Sequence, residues 1–447
     1  MAGIVLLCVA ALLCFIAGRR SIVAGIVALM TVGYGYGILR ANIPTTPMHF
    51  LFDAGTVGLY LALVTRGLNR EQRQRFNVLL PWLVLLIGWP VLLFFFPVQD
   101  PLIQLVGLRG QIFFIPFILI GAMLEEEDWY RLARWVAVLN LAAFGFAIAE
   151  YIEGVPKFFP RNEVTQIIYL SNDVMGRTQF RIPATFVNSA AFSGTMVATV
   201  LLLLGAWAQR RASKLDYWLL SIAILASGLG VFMGASRTQA ATLLLMVGLT
   251  FLMGKVSLKI FFRVALVVAI VGYIVATNPR MQRFTSLSDT DFVQQRINNS
   301  VNDSLFAIAI DNPMGAGLGA GGTSIPYFLQ DRIKRDYMGL ENEYSRIILE
   351  QGIPGLFIFV GFLGWVMISP QPRRNNPWNL ALRLARIYLA IVFATASLGT
   401  GVMTSIPGTA FILMLAGWVS TTRSMPAVQK TAEVERIART RLAGNIL

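Results

Sequence analysis

The feature that most constrains this chain is a recurrence of long apolar stretches, near residues 2 to 18, 21 to 38, 48 to 65, 78 to 97, 110 to 124, 133 to 151, 186 to 207, 217 to 235, 238 to 254, 259 to 276, 345 to 368, 386 to 403 and 406 to 421. A helix needs about 20 apolar residues to cross the hydrocarbon core of a bilayer. Inside that core each backbone N–H and C=O must be satisfied within the protein, which leaves helices or closed barrels. The stretches have helical length and no period-two alternation, so the sequence predicts an all-α, polytopic membrane helix bundle of about 12 to 13 transmembrane helices. Composition agrees, with 56% hydrophobic residues, 13% charged residues and a mean hydropathy of +0.65. The first stretch has no basic residues before it, and Arg19 and Arg20 follow where a cleavage site would stand. It reads as a retained helix and not as a leader.

The two cysteines, Cys8 and Cys14, share the first apolar stretch, and His49 is the single histidine. No disulfide framework, metal site or other cofactor is expected, and neither is a mechanism built on an imidazole base. Most of the 37 lysines and arginines fall in one set of alternate loops, from Arg19, Arg20 and the Arg66, Arg70, Arg73, Arg75 cluster to the basic tail. Cytoplasmic loops carry such an excess, which places the N-terminus outside and the C-terminus inside. The +14 net charge is thus read as membrane orientation with membrane lipids as neighbours, and no nucleic-acid partner is expected.

The remaining basic residues concentrate in two long outer loops. The chain accordingly divides into N-terminal transmembrane helices (1–151), a first long outer loop (152–185), central transmembrane helices (186–277), a large outer loop (278–344), C-terminal transmembrane helices (345–422) and a basic cytoplasmic tail (423–447). Loops of this length in a compact bundle signal function or disorder. Both carry enough aromatic residues, among them Phe158, Phe159, Tyr169, Phe180, Tyr327 and Phe328, to fold back on the bundle as short interfacial helices.

Helices that start at the outer surface present unpaired N–H groups and a positive dipole end to that side, which suits an anion. Three such starts stand out: Arg181-Ile-Pro-Ala-Thr-Phe-Val-Asn188, Gly234-Ala-Ser236-Arg237-Thr238, and Glu341-Asn342-Glu343-Tyr344-Ser345-Arg346. Arg237 lies between two apolar helices with almost no loop around it. A guanidinium at that depth either snorkels to headgroups or grips phosphate oxygens bidentately. Ser236 is placed to cap a helix. In the large loop Gln294-Gln295-Arg296 precedes a helix through Ile310, and the glycine-dense run from Gly315 through Gly317 and Gly319 to Gly322 follows. It is no dinucleotide fingerprint, since no strand leads into it; it reads as a close backbone approach or as a hinge. Glu341 and Glu343 are the carboxylates available as a general base. The alternative for Glu343 is pairing with Arg346, and of Arg346 with Glu350, at i,i+3 and i,i+4 spacing.

The order of these motifs resembles the O-antigen ligase-like domain shared by O-antigen ligases, O-antigen and exopolysaccharide polymerases, and protein O-oligosaccharyltransferases. The Arg-x-x-x-Thr-Phe-x-Asn start, the Ala-Ser-Arg-Thr turn, the Gln-Arg-Ile and Met-Gly-Ala-Gly-Leu-Gly segments and Glu-Asn-Glu-Tyr-Ser-Arg-Ile-Ile-Leu-Glu-Gln-Gly-Ile-Pro-Gly-Leu follow one another over roughly residues 180 to 360. The resemblance implies a glycosyltransferase of the bacterial inner membrane with a periplasmic active face. It would move a sugar chain from an undecaprenyl diphosphate carrier to an acceptor hydroxyl without a metal. Arg237 and Arg296 would then grip the diphosphate, Arg181 would assist, Glu341 and Glu343 would be catalytic, and Gly317, Gly319, Asn342 and Tyr344 would supply further loop contacts. Ligases of that family usually carry histidine where this chain has Glu341, which favours a polymerase of lipid-linked repeat units over ligase-type transfer to another acceptor. A chain-length regulator or export complex would be a natural partner. A polysaccharide or lipid-linked sugar transporter is the reading from another class, but transporters place charges near the bilayer midplane, and this sequence shows few charges deep in any span.

Overall fold

A computed structural model describes residues 1–170, 180–209, 213–253, 273, 277, 305–322, 325–334, 340, 342–370, 376–397, 399 and 401–421. Helix ends are set by capping side chains as much as by hydropathy. Ser21 caps the helix Ile22–Asn42 through the Ala24 amide, Asn69 and Gln72 form a reciprocal capping box at the start of Arg70–Phe94, and Asn188 accepts from Ala191 N–H, 2.8 Å away, to open Ser189–Trp207. Each side-chain oxygen meets an amide that has no partner inside its helix.

The described helices are α1 (Ala2–Arg20), α2 (Ile22–Asn42), α3 (Leu51–Arg66), α4 (Arg70–Phe94), α5 (Pro101–Ile112), α6 (Phe117–Met123), α7 (Glu126–Glu153), α8 (Val155–Phe158), α9 (Gln166–Leu170), α10 (Ser189–Trp207), α11 (Lys214–Met233), α12 (Arg237–Met253), α13 (Leu305–Asp311), α14 (Glu343–Ile368), α15 (Asn379–Thr395) and α16 (Gly408–Thr421). Among the described residues there is no β-strand, and nine helices are long and apolar enough to cross a membrane. α12 and α16 are shorter apolar helices. The all-α polytopic bundle expected from the sequence is therefore the fold. The stretch at 259 to 276 lies outside the described residues apart from Tyr273, which is helical.

Several boundaries differ from the hydropathy reading. α4 starts at Arg70, ahead of the expected 78, because the Asn69 cap starts a polar first turn that a hydropathy window passes over. The span expected at 110 to 124 begins at Pro101, where Asp100 caps the helix and proline occupies its first turn; Gln104, Arg109 and Gln111 mask its apolar character. α15 runs from Asn379 to Thr395, not 386 to 403.

Contacts between helix ends gather at two opposed faces. One face gathers Arg19, whose guanidinium donates to Thr65 O, Arg75, which donates to Ala122 O, and Arg134 paired with Asp216 at 2.9 Å. The other holds the starts of α3, α10, α12 and α14 and the ends of α2 and α7. On that face residues from the long loops dock on helix ends: Asn42 Nδ2 donates to Phe158 O, Arg40 to Val164 O, and Asn162 Nδ2 to Ala41 O.

Small residues bring backbones together where helices cross, as expected when lipid removes the hydrophobic drive for association. A Cβ on Gly121 would lie 1.9 Å from Met414 O and one on Gly417 1.8 Å from Ile118 O, which locks α6 against α16. Midway along α7, fully buried Asn140 accepts from the Tyr34 hydroxyl at 2.6 Å and donates to Thr199 Oγ1 and Ser227 Oγ at 2.9 and 2.8 Å. One amide thereby ties α2, α7, α10 and α11.

Candidate functional site

The segment from Arg181 to Asn188 enters the bundle as a non-helical arm before α10 begins and turns at 183–186, where Phe186 N–H donates to Pro183 O at 3.0 Å. Ile182, Ala184 and Phe186 are buried, and Ala184 holds the left-handed conformation with φ 51°. Contacts to neighbouring elements hold the arm in place. Ile38 N–H of α2 donates to Thr185 O at 3.1 Å, and Gly37 permits this because a Cβ there would fall 2.0 Å from the Phe186 carbonyl carbon. The Ala184 amide donates to Glu150 Oε2 of α7 at 2.9 Å. Arg181 Nε and Nη2 donate to Gly234 O at 3.3 and 3.2 Å.

Gly234 begins the turn between α11 and α12. A Cβ on it would lie 2.1 Å from Ser193 Oγ of α10, so the turn sits directly on that helix. Ala235 follows at φ 48°, then Ser236, and Arg237 is the first residue of α12. Ala184 and Ala235 are the two non-glycine residues with positive φ among the described residues. Such strain persists only where surroundings enforce it and is concentrated at functional sites. Here one strained residue lies three positions after Arg181 and the other two positions before Arg237. Arg181 thus contacts the turn that leads into Arg237, which is half-buried at the positive end of a helix.

Above the arm, Phe180 packs edge-on against Tyr169 at 4.9 Å between ring centroids, and the Arg161 guanidinium lies 5.0 and 5.8 Å from the two centroids. Burial raises the Tyr169 phenol above its ordinary pKa, Arg161 draws it down, and Glu150 adds to the rise. The first long loop therefore covers the arm with an arginine stacked on two rings.

The third motif forms a separate buried cluster at the same face. Asn342 caps α14 through Tyr344 N–H at 2.8 Å and Ser345 N–H at 3.3 Å, and the Tyr344 hydroxyl donates to Phe393 O at 2.6 Å. Glu343, Arg346 and Glu350 are all fully buried. Glu343 Oε1 accepts from Arg346 Nε at 3.1 Å and from its Nη2, and Oε2 accepts from Gly401 N–H at 2.8 Å. Arg346 Nη1 stands 3.6 Å from Glu350 Oε2, to which Gln111 of α5 donates. The pairing that i,i+3 and i,i+4 spacing allowed is present, and together with the Gly401 amide it occupies both Glu343 oxygens. Glu341 and Arg296 lie outside the described residues.

The glycine-dense run packs against protein. Gly317 backs onto Val98 and Gln99, and a Cβ on Gly319 would meet Ile103 O at 2.7 Å. Gln99 Nε2 donates to Ala316 O at 3.2 Å. The run also pairs with α14 where that helix is interrupted at Gly352, φ 71°: Ala316 N–H donates to Leu349 O at 2.6 Å, and Ile353 N–H donates to Pro313 O at 2.9 Å. Trp89 Nε1 serves the Gln351 carbonyl at 3.0 Å.

Sequence reasoning passed over three charges within spans. Glu150 is 1% exposed at the last turn of α7, and Asp53 of α3 pairs with Arg109 of α5 at 2.6 Å. An ionisable residue inside an apolar window is a functional signal in itself. With Arg346 and Glu350 they lie in the half of the bundle that holds the arginine turn.

Residues 222–360 match the family model described as O-antigen ligase. The matched segment contains the turn at Gly234, Arg237, the glycine-dense run and the Glu343 cluster, while Arg181 and its arm precede it. No curated protein matches the chain.

Proposed function

We propose that this multi-pass membrane protein, whose residues 222–360 match the family model described as O-antigen ligase, is a polysaccharide polymerase joining undecaprenyl-diphosphate-linked oligosaccharide repeat units at the periplasmic face. The observation that carries this reading is the convergence of Arg181 and Arg237 on the turn at Gly234. A sugar diphosphate leaving group spreads its charge over several oxygens, and fixed guanidinium groups beside a helix N-terminus stabilise that charge as it develops.

In the transfer, an acceptor hydroxyl oxygen bonds to the anomeric carbon of the donor sugar. The bond from that carbon to the diphosphate breaks, its electron pair leaves on the diphosphate, and the hydroxyl proton passes to a carboxylate. Arg237 and Arg181 hold the diphosphate, with Arg296 as a further contact from the large loop. Glu341 is the proposed proton acceptor. Glu343, engaged by Arg346 and Gly401, orders the start of α14 beside it, and Asn342 and Tyr344 fix the same turn.

Ligase-type transfer to another acceptor is the second reading, favoured by the description of the matching family. Proteoliposomes containing lipid-linked repeat units decide between them. A ladder of chain lengths that Arg237→Ala abolishes supports the polymerase. Transfer only when a separate lipid acceptor is supplied supports the ligase, and transfer to neither rejects both.

A further inference from the structure

We infer that Glu150 is a positioning residue for Arg181: its buried carboxylate fixes the arm that carries the arginine to the Gly234 turn. This rests on the proposed role of Arg181 in holding a lipid diphosphate. Glu150 is 1% exposed and belongs to neither the arginine pair nor the cluster at α14. Its Oε2 accepts from the Ala184 amide at 2.9 Å. Ala184 is fully buried in the left-handed region, φ 51°, which disfavours any residue with a Cβ. An amide turned inward in a membrane bundle cannot turn to water, so it needs an acceptor there.

The arm is closed on itself by Phe186 N–H donating to Pro183 O at 3.0 Å, and separate contacts tie that turn to the helices. Thr185 is bound to Ile38 N–H of α2, Ala184 to Glu150 of α7, and Arg181 to Gly234 O at the end of α11. The Ile38 contact sets where the arm meets α2, but the turn could still pivot about that contact as a unit. The Glu150 contact removes that freedom one residue earlier and directs the chain back toward Arg181. The other Glu150 oxygen, Oε1, is buried without a hydrogen-bond partner. Anchoring therefore uses a single acceptor oxygen. Glutamine supplies the same acceptor in the same shape, whereas methionine fills the space without one.

The test uses the full-length protein in lipid nanodiscs, undecaprenyl diphosphate as the probe, and hydrogen–deuterium exchange across residues 180–188 without the probe. Glu150→Met is expected to accelerate exchange in that segment and to weaken diphosphate binding on the order of tenfold, as a small displacement of a binding group does. Glu150→Gln should retain wild-type exchange and affinity. Glu150→Met combined with Arg181→Ala should bind no more weakly than Arg181→Ala alone, because one residue acts through the other. Unchanged exchange in Glu150→Met, multiplying losses in the double variant, or a loss in Glu150→Gln equal to that in Glu150→Met would each overturn the inference. If Glu150→Met does not yield folded protein, Glu150→Gln still decides whether the acceptor or the charge matters. A wild type that binds no undecaprenyl diphosphate would overturn the donor reading, and the exchange result would decide the anchoring role alone.

Discussion

Arg181 spans from the arm before α10 to the Gly234 carbonyl at the end of α11, with Nε and Nη2 3.3 and 3.2 Å from that oxygen. The contact places one guanidinium over the turn that delivers a second, Arg237, at the start of α12. Neither side chain would hold this relation on its own, since each is long and flexible. The backbone geometry at Ala184 and Ala235 supplies it.

Replacement of Arg237 by alanine should lower transfer from a lipid-linked donor on the order of a hundredfold, the usual effect of removing one preorganised charge-stabilising group. Arg237→Lys should recover only part of it, because an ammonium restores the charge without the bidentate fork. Initial rates in proteoliposomes at saturating donor measure both. A lysine variant as active as wild type would show that charge alone suffices.

The cluster at α14 leads to a stability prediction. Arg346 is fully buried between Glu343 and Glu350, and removing one partner of a buried pair leaves an uncompensated charge, at a cost of about 3–5 kcal/mol. Arg346→Met should therefore reduce thermal stability in detergent sharply. Arg346→Met combined with Glu343→Gln and Glu350→Gln should be milder, since the three charged groups then leave together. A single variant that melts with the wild type would mean that the cluster is not ionised as drawn.

Asn140 should matter for stability and not for chemistry. Asn140→Leu removes three hydrogen bonds among α2, α7, α10 and α11, each worth about 0.6 kcal/mol in a membrane bundle, so destabilisation of about 2 kcal/mol is expected. Tyr34→Phe removes one of them and should cost correspondingly less. Unfolding in mixed detergent micelles resolves the difference, and the transfer rate of the folded fraction should stay at the wild-type level.

The helices are legible in the sequence wherever an apolar stretch is long enough to require a membrane, because hydropathy and helix length report the same constraint. The reading weakens where a helix carries polar residues for other reasons. Arg70 to Arg75 form a capped polar turn on α4, and Gln104, Arg109 and Gln111 of α5 face partners in Phe96, Asp53 and Glu350. The site divides in the same way. Arg181, Arg237 and the Glu343 pairing are visible as local motifs or spacings. Glu150 is not, because its partner Ala184 is 34 residues away and a backbone amide has no sequence signature.

Gly37 provides a last test of the arm, independent of any charge. It sits in α2 where a Cβ would fall 2.0 Å from the Phe186 carbonyl carbon and 2.2 Å from its oxygen, both backbone atoms that cannot rotate away. Gly37→Ala must therefore move the arm or the helix, and overpacking of this kind costs about 1–3 kcal/mol. The arm is the softer element, since it belongs to no helix, so the displacement should propagate to Arg181. Transfer should fall on the order of a hundredfold, as for a misplaced reacting group, while the helix content of the protein stays unchanged. Gly145 of α7 is the control: nothing lies within 4 Å of a Cβ there, and Gly145→Ala should leave transfer intact and stabilise the helix slightly. Equal losses in both variants, measured by chain-length ladders and circular dichroism, would show a general sensitivity of the helices and not a specific role for the arm.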